Sequence, residues 1–171
     1  MSGRAAILVA MMFGVSAVTL PPAIDPSPWF IWNASASVPI GLYVVEPATQ
    51  LRVDDLVVVR PPEDVAAFLA EGGYLPRGVP LLKRVLALPG QTVCRIGRTI
   101  TVDSLAVGNA RERDSHGRAL PLWQRCRVIA EGDVFLMNRQ PADSFDGRYF
   151  GPLPVASVVG RAKPLWIARE D

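Results

Sequence analysis

The chain is 171 residues long, half of them hydrophobic, with 18 lysines and arginines against 16 aspartates and glutamates. That length suits one domain with a sizeable core, and a net charge of +2, evenly spread, offers no basic face to nucleic acid. One histidine and two cysteines have no metal-cluster spacing, so neither a metal nor any other cofactor is expected.

From the N-terminus, Arg4 precedes sixteen uncharged residues, Ala5–Leu20, and then Pro21 and Pro22. With Ala23 and Ile24 the apolar run reaches about the length of a thin bilayer crossing, and no small-x-small cleavage site is obvious. Residues 1–24 therefore read as an uncleaved membrane anchor in preference to a removed signal peptide. A buried core helix is the bland alternative. Arg4 keeps the N-terminus cytoplasmic and puts residues 25–171 outside as one exported domain. Asp25–Pro28 reads as an extended linker. Trp29–Trp32, with three aromatics in four residues, reads either as an anchor in the lipid headgroup layer or as a core strand. Ser37 lies seventeen residues beyond Leu20, at most about 55–60 Å of extended chain, so it works close to the membrane surface.

Strands dominate the rest. Gly41–Glu46 and Leu56–Arg60 are β-rich runs separated by the turn-like Arg52–Asp55. Pro61–Gly72 carries proline at its start, acids in its first turn and glycine at its end, and predicts one short soluble helix. Pro80–Leu88 predicts an apolar strand closed by Pro89 and Gly90. Thr92–Ile96 and Thr99–Val102 flank Gly97 and Arg98 as a hairpin. Residues 103–125 read as a polar, irregular surface excursion. Asp133–Asn138 and Val155–Ile167 supply the last strands. Sixteen prolines and fourteen glycines agree with many turns. The expected fold is mostly β, a coiled antiparallel sheet.

Three clusters carry candidate chemistry. In Leu81–Ala87, alternation places Leu81, Lys83, Val85 and Ala87 on one face. An amine enclosed there loses its preference for charge, which is what a lysine base requires. In S-A-S-V-P-I-G, Pro39 extends Val38 and removes a donor, and Gly41 admits a close neighbouring chain. Ser37 then presents a fixed hydroxyl, with Ser35 on the same side if the segment is extended. In D-S-F-D-G-R-Y-F-G-P, Asp146 and Arg148 can pair and Ser144 can bond an amine. Taken singly, each has a bland reading: a snorkelling lysine at a sheet edge, a turn, and a solvated loop.

The order S-x-S-x-P, then K-R-V-L-A-L-P-G, then S-F-D-G-R-Y-F-G-P, behind an N-terminal apolar segment, resembles the type I signal peptidase family, serine peptidases with a Ser-Lys dyad. It is most similar to the conjugative-transfer branch of TraF-type pilin-processing peptidases, where P-x-G-x-Y follows the serine as Pro39–Tyr43 does here. The resemblance runs from about Trp32 to Trp166. It implies a signal-peptidase-like β fold with Ser37 as nucleophile and Lys83 as general base. Ser35 and the Ser37 N–H would form the oxyanion hole, Ser144 would orient the lysine, and Asp146 with Arg148 would hold the loop behind the dyad. Val38 stands where the housekeeping enzymes have methionine, Gln91 where an acid follows P-G, and Asn138 where glycine is usual. These set the chain apart from the general secretory enzyme.

The implied reaction is acyl transfer on an exported, propilin-like precursor bound as an extended peptide, by hydrolysis or by cyclisation. The implied location is the inner membrane with the domain facing the periplasm, in contact with membrane lipid, or free in the periplasm after cleavage. Cys94 and Cys126 are an even pair on an exported chain, open to a disulfide or to two buried thiols. A bond would close about thirty residues and contribute roughly 3–4 kcal/mol by chain entropy. His116 serves a Ser-His-Asp triad only if it lies beside Ser37. Two competing functions remain. One is a non-enzymatic envelope module that assembles pilus subunits. The other is a self-cleaving regulator, which would need a DNA-binding domain where this chain carries its apolar segment.

Overall fold

The computed structural model describes residues 3–24, 28–140 and 143–168. Asp25–Ser27 of the expected linker lie outside them. Helix α1, Gly3–Ile24, leaves its apolar side chains open: Leu8 is 61% and Phe13 76% exposed. It is therefore not a buried core helix. Its side chains are described only through Ala17 and at Thr19, and among the described residues no helix is long and apolar enough to cross a membrane.

Among the described residues eleven strands follow in chain order. They are β1 (Phe30–Asn33), β2 (Gly41–Glu46), β3 (Leu56–Val59), β4 (Leu81–Ala87), β5 (Thr92–Ile96), β6 (Thr99–Val102), β7 (Leu105–Asn109), β8 (Arg125–Val128), β9 (Asp133–Leu136), β10 (Leu153–Pro154) and β11 (Val158–Ile167). Helix α2 (Glu63–Glu71) lies between β3 and β4, and the single turn α3 (Gly147–Phe150) precedes β10. A seven-stranded sheet runs β1-β2-β11-β3-β4-β9-β10, and a four-stranded sheet runs β7-β6-β5-β8. Every pair of neighbouring strands is antiparallel. The mostly β, coiled antiparallel expectation holds.

Burial explains the layout. The uninterrupted L-V-V-V of β3 is buried on both faces, which is why its sequence does not alternate. Helix α2 starts after Pro62 with Glu63 and Asp64 in its first turn, and buries Val65 and Leu69 against Val57, Val59, Val134 and Leu136. A side chain at position 41 would put its Cβ 2.2 Å from the Trp166 carbonyl oxygen, so glycine is what lets β11 lie against β2.

Three expectations need correction. Residues 103–125 are not irregular throughout, because β7 extends the hairpin and β8 begins at Arg125. Pairing β8 with β5 sets Cys126 opposite Cys94, and the two form a disulfide. The intervening loop is also tied down: Tyr74 Oη donates to Asp114 (2.5 Å) and Arg118 Nη1 to Gly72 O (2.8 Å). Those partners lie some forty residues away in sequence, beyond any local pattern. The Asp143–Pro152 segment is no solvated turn, since Gly147, Arg148 and Tyr149 are buried. Trp29–Trp32 is not a core strand: Trp29 precedes β1, and Phe30 and Trp32 sit on this edge strand, 54% and 57% exposed. Trp32 stacks on Trp166 with ring centroids 5.7 Å apart.

Candidate active site

The serine segment is organised by Asn33, the buried last residue of β1. Its Nδ2 donates to the carbonyl oxygens of Ser35 (2.7 Å), Val38 (3.0 Å) and Pro39 (3.1 Å). Its Oδ1 accepts from Ser35 N (3.3 Å) and Ser35 Oγ (3.0 Å). These bonds curl residues 35–38 into a turn, not the extended segment expected, because one amide gathers three carbonyls. Ser35 Oγ still lies 3.0 Å from Ser37 Oγ. A hydroxyl has one proton, and with Ser35 giving its own to Asn33, Ser37 is the donor between them. Val38 is the plug beneath, packed with Tyr43, Leu56, Val58 and Leu82. The Ser37 N–H makes no hydrogen bond among the described residues, so it is open to an incoming acceptor.

Lys83 comes from the middle of β4, opposite Val57 of β3. Only 4% of it is exposed, so it does not snorkel. Its Nζ donates to Ser144 Oγ at 2.6 Å. Burial pushes its pKa down from 10.5 to about 8, while the Asp146 charge pulls upward and the Arg148 charge downward, each more weakly than burial. Roughly one amine in ten is then neutral at pH 7, against one in a few thousand for a solvated lysine.

The loop that brings Ser144 is braced by the Asp146–Arg148 pair. Arg148 Nε reaches Asp146 Oδ1 (2.9 Å) and Nη2 reaches Oδ2 (2.7 Å), a two-pronged contact that fixes direction as well as distance. Burial works against the guanidinium charge, yet the hydrogen bond and charge of Asp146 outweigh it and hold the Arg148 pKa above its ordinary value. Gly147 between them admits no side chain, since a Cβ would lie 2.7 Å from the Leu136 oxygen. From the second sheet, buried Arg95 donates to the Arg148 carbonyl at 2.6 Å.

The fold thus gathers Ser35 with Ser37, and Lys83 with Ser144, beside Asp146 and Arg148. Ser37 Oγ and Lys83 Nζ are not hydrogen-bonded to each other in this state; each is engaged by its own serine. What joins the two halves is Asn138, whose Nδ2 donates to Ser37 O (3.0 Å) and to Leu82 O (3.1 Å), the residue before Lys83. Asn33, Arg95 and Asn138 are the site residues that sequence reasoning missed as contributors. Asn33 had a faint signal, an asparagine just before a serine-rich turn; Arg95 had none.

His116 lies elsewhere. Its main-chain N–H donates to Asp114 and its Nδ1 lies 3.3 Å from Ser115 Oγ. It lines a cavity of about 690 Å³ with Tyr74, Arg111, Asp114, Phe145 and Tyr149, and neither Ser37 nor Lys83 lines that cavity.

A family pattern described as signal peptidase, peptidase S26, matches residues 3–167. The chain belongs to this signal peptidase family. The match is wider than the Trp32–Trp166 stretch on which the resemblance was read, and takes in α1. Among its relatives, the conjugal transfer protein TraF of Agrobacterium fabrum is 38% identical over 146 residues, spanning 78% of this chain and 80% of that one. A plasmid transfer protein TraF of Escherichia coli is 33% identical, spanning 78% and 74%. A probable signal peptidase I-1 of Synechocystis is 31% identical, spanning 65% and 52%. The crystal structure of a signal peptidase I from Enterococcus faecalis is 20% identical and covers 66% of this chain and 97% of that one, with a TM-score of 0.40. Membership in this peptidase family supports a serine peptidase.

Proposed function

We propose that this chain is a membrane-anchored serine endopeptidase that processes an exported precursor, a conjugative pilin, with Ser37 as nucleophile and Lys83 as general base. One observation carries the reading: a lysine amine 4% exposed, held by Ser144, with a pKa of about 8. Among the described residues no carboxylate is bonded to that amine, which supports a role in taking a proton.

The steps follow from the atoms. Ser37 turns its hydroxyl from Ser35 to Lys83, a rotation of the kind that substrate binding drives in sites whose hydrogen bonds tighten only in the complex. Neutral Lys83 takes the proton and Oγ attacks the peptide carbonyl carbon. The oxyanion accepts from the free Ser37 N–H and from the Ser35 hydroxyl, which leaves Asn33. The Lys83 ammonium then protonates the departing nitrogen as the C–N bond breaks, leaving an ester on Ser37. Water, giving its proton to Lys83, releases a linear product. Attack by the pilin's own amino terminus would release a ring.

The names of the relatives, conjugal and plasmid transfer proteins, favour a precursor from conjugation. Residues 1–24 act as the anchor and residues 25–171 as the exported domain. Trp29, Phe30, Trp32 and Trp166, all more than half exposed, suit a headgroup layer next to that anchor, which supports a site at the periplasmic face. The test is to incubate the purified protein with candidate pilin precursors and weigh the products. Cleavage by the native chain and none by Ser37→Ala is expected, with a ring one water lighter than the linear chain. Unchanged maturation by Ser37→Ala would leave the envelope-assembly reading in its place.

A further inference from the structure

Asn138 follows β9, is 2% exposed and uses every polar group it has. Its main-chain N–H donates to Asp146 Oδ2 (3.1 Å) and its carbonyl accepts from Arg148 Nη2 (2.7 Å). Its Oδ1 accepts from the Arg84 N–H (3.0 Å), and its Nδ2 donates to Leu82 O (3.1 Å). Those two peptide groups flank Lys83. The side-chain amide therefore pairs with β4 as a parallel strand's peptide would, donating to the residue before and accepting from the residue after. Its Nδ2 also donates to Ser37 O at 3.0 Å, across 101 residues of sequence. Two carbonyls and one N–H around a single amide leave only one way to orient it.

We propose that Asn138 is a positioning residue that sets the spacing between the Ser37 hydroxyl and the Lys83 amine. The proposal rests on the Ser-Lys reading above. One planar amide holds the strand that carries the base and the turn that carries the nucleophile, while its main chain fastens both to the loop of Ser144. No other residue type does this. Glycine or alanine leaves Ser37 O, Leu82 O and the Arg84 N–H without this partner, and glutamine reaches one methylene too far. Aspartate has the shape but no donors, and sets a negative charge against two carbonyls. The bonds Asn138 makes with its side chain are all to main chain, so its effect reaches the reaction through geometry. Turnover should suffer, and not substrate affinity.

The test compares the full-length native chain with Asn138→Ala, Asn138→Asp and Ser37→Ala on a precursor peptide that the native chain cleaves. It reads kcat, KM, the pH profile and the circular-dichroism melting curve. Asn138→Ala is expected to lower kcat about 10- to 100-fold with KM within about threefold, at a temperature where the variant is fully folded. Asn138→Asp is expected to lose turnover similarly and also to move the rising limb of the pH profile upward. Its new anion would join Asp146 and oppose Arg148, the charges already facing the amine. Asn138→Ala should leave that limb in place. A folded Asn138→Ala with kcat within twofold of native, or a loss confined to KM, overturns the proposal. Should Asn138→Ala not fold, the isosteric Asn138→Asp decides it: native kcat or an unmoved limb counts against. A Ser37→Ala chain that still cleaves overturns the Ser-Lys reading instead, and so separates the two failures.

Discussion

Asp146 and Arg148 form an ion pair at 2.7 Å with side chains 0% and 1% exposed; Asp114 and Arg118 form another at 2.6 Å, 6% and 46% exposed. The buried pair faces Lys83, where its two charges act on the amine in opposite directions and leave burial to set the pKa. The outer pair tethers. Arg118 lies over the Tyr74 ring, 4.6 Å from its centroid, and Tyr74 bonds the same carboxylate. That hydrogen bond is the largest cause holding the Asp114 carboxyl well below the usual range. An ion pair shut away from water neutralises itself and positions its neighbours, whereas one at the rim fastens a loop away from Ser37 and Lys83.

The largest effect that tests this contrast is on rate. Lys83→Ala should lower kcat by about 10²–10⁴-fold, the usual contribution of a positioned base, and Lys83→His should not restore it. Asp114→Asn should leave kcat within twofold. Precursor cleavage followed by mass spectrometry measures all three, and a strong loss with Asp114→Asn alone would break the comparison.

Stability comes next. Asp146→Asn removes the carboxylate that faces the buried Arg148 guanidinium and should cost about 3–5 kcal/mol in urea unfolding. It should also move the pH limb downward, because Arg148 then acts on Lys83 unopposed. Asp114→Asn should shift the urea midpoint far less. Equal shifts would mean that burial does not distinguish the two pairs.

Lys83 itself is a stability cost. Its folded pKa of about 8 lies below the unfolded 10.5, so between those values the unfolded chain binds more protons and native stability rises with pH. Below pH 8 the whole penalty applies, up to about 3 kcal/mol. Lys83→Met should therefore stabilise the fold at pH 7, by an amount that shrinks toward pH 10.5; a gain independent of pH would point to packing instead. The smallest expected change is in the native profile, where activity should rise about fivefold from pH 7 to pH 8 and level off above pH 9. A midpoint near 10 would describe a solvated amine.

Much of this was legible in one dimension. β2 has the bounds expected, α2 falls within Pro61–Gly72, and alternation put Lys83 on a face with Leu81 and Val85. Periodicity and turn chemistry are local, and they report local structure. The Asn33 cradle, the Arg95 bond to Arg148 and the Asn138 bridge were not legible. Each is a side chain meeting a backbone group, and nothing in residue type says which carbonyl a buried amide will find. α3 was missed because its four residues carry no helical period; glycine clearance and the Asp146 cap make that turn.

One dimension was enough for the β-rich domain, the apolar N-terminal run and the residues proposed for acyl transfer. Composition, period and motif spacing are properties of a chain before it folds. Folding in three dimensions was needed to show how fully the lysine is enclosed, that Asn33 curls the serine segment into a turn, and that Asn138 links that turn to the strand of Lys83. Burial and hydrogen-bond choice depend on what the rest of the chain brings alongside, here across 61 residues for Lys83 and 101 for Ser37.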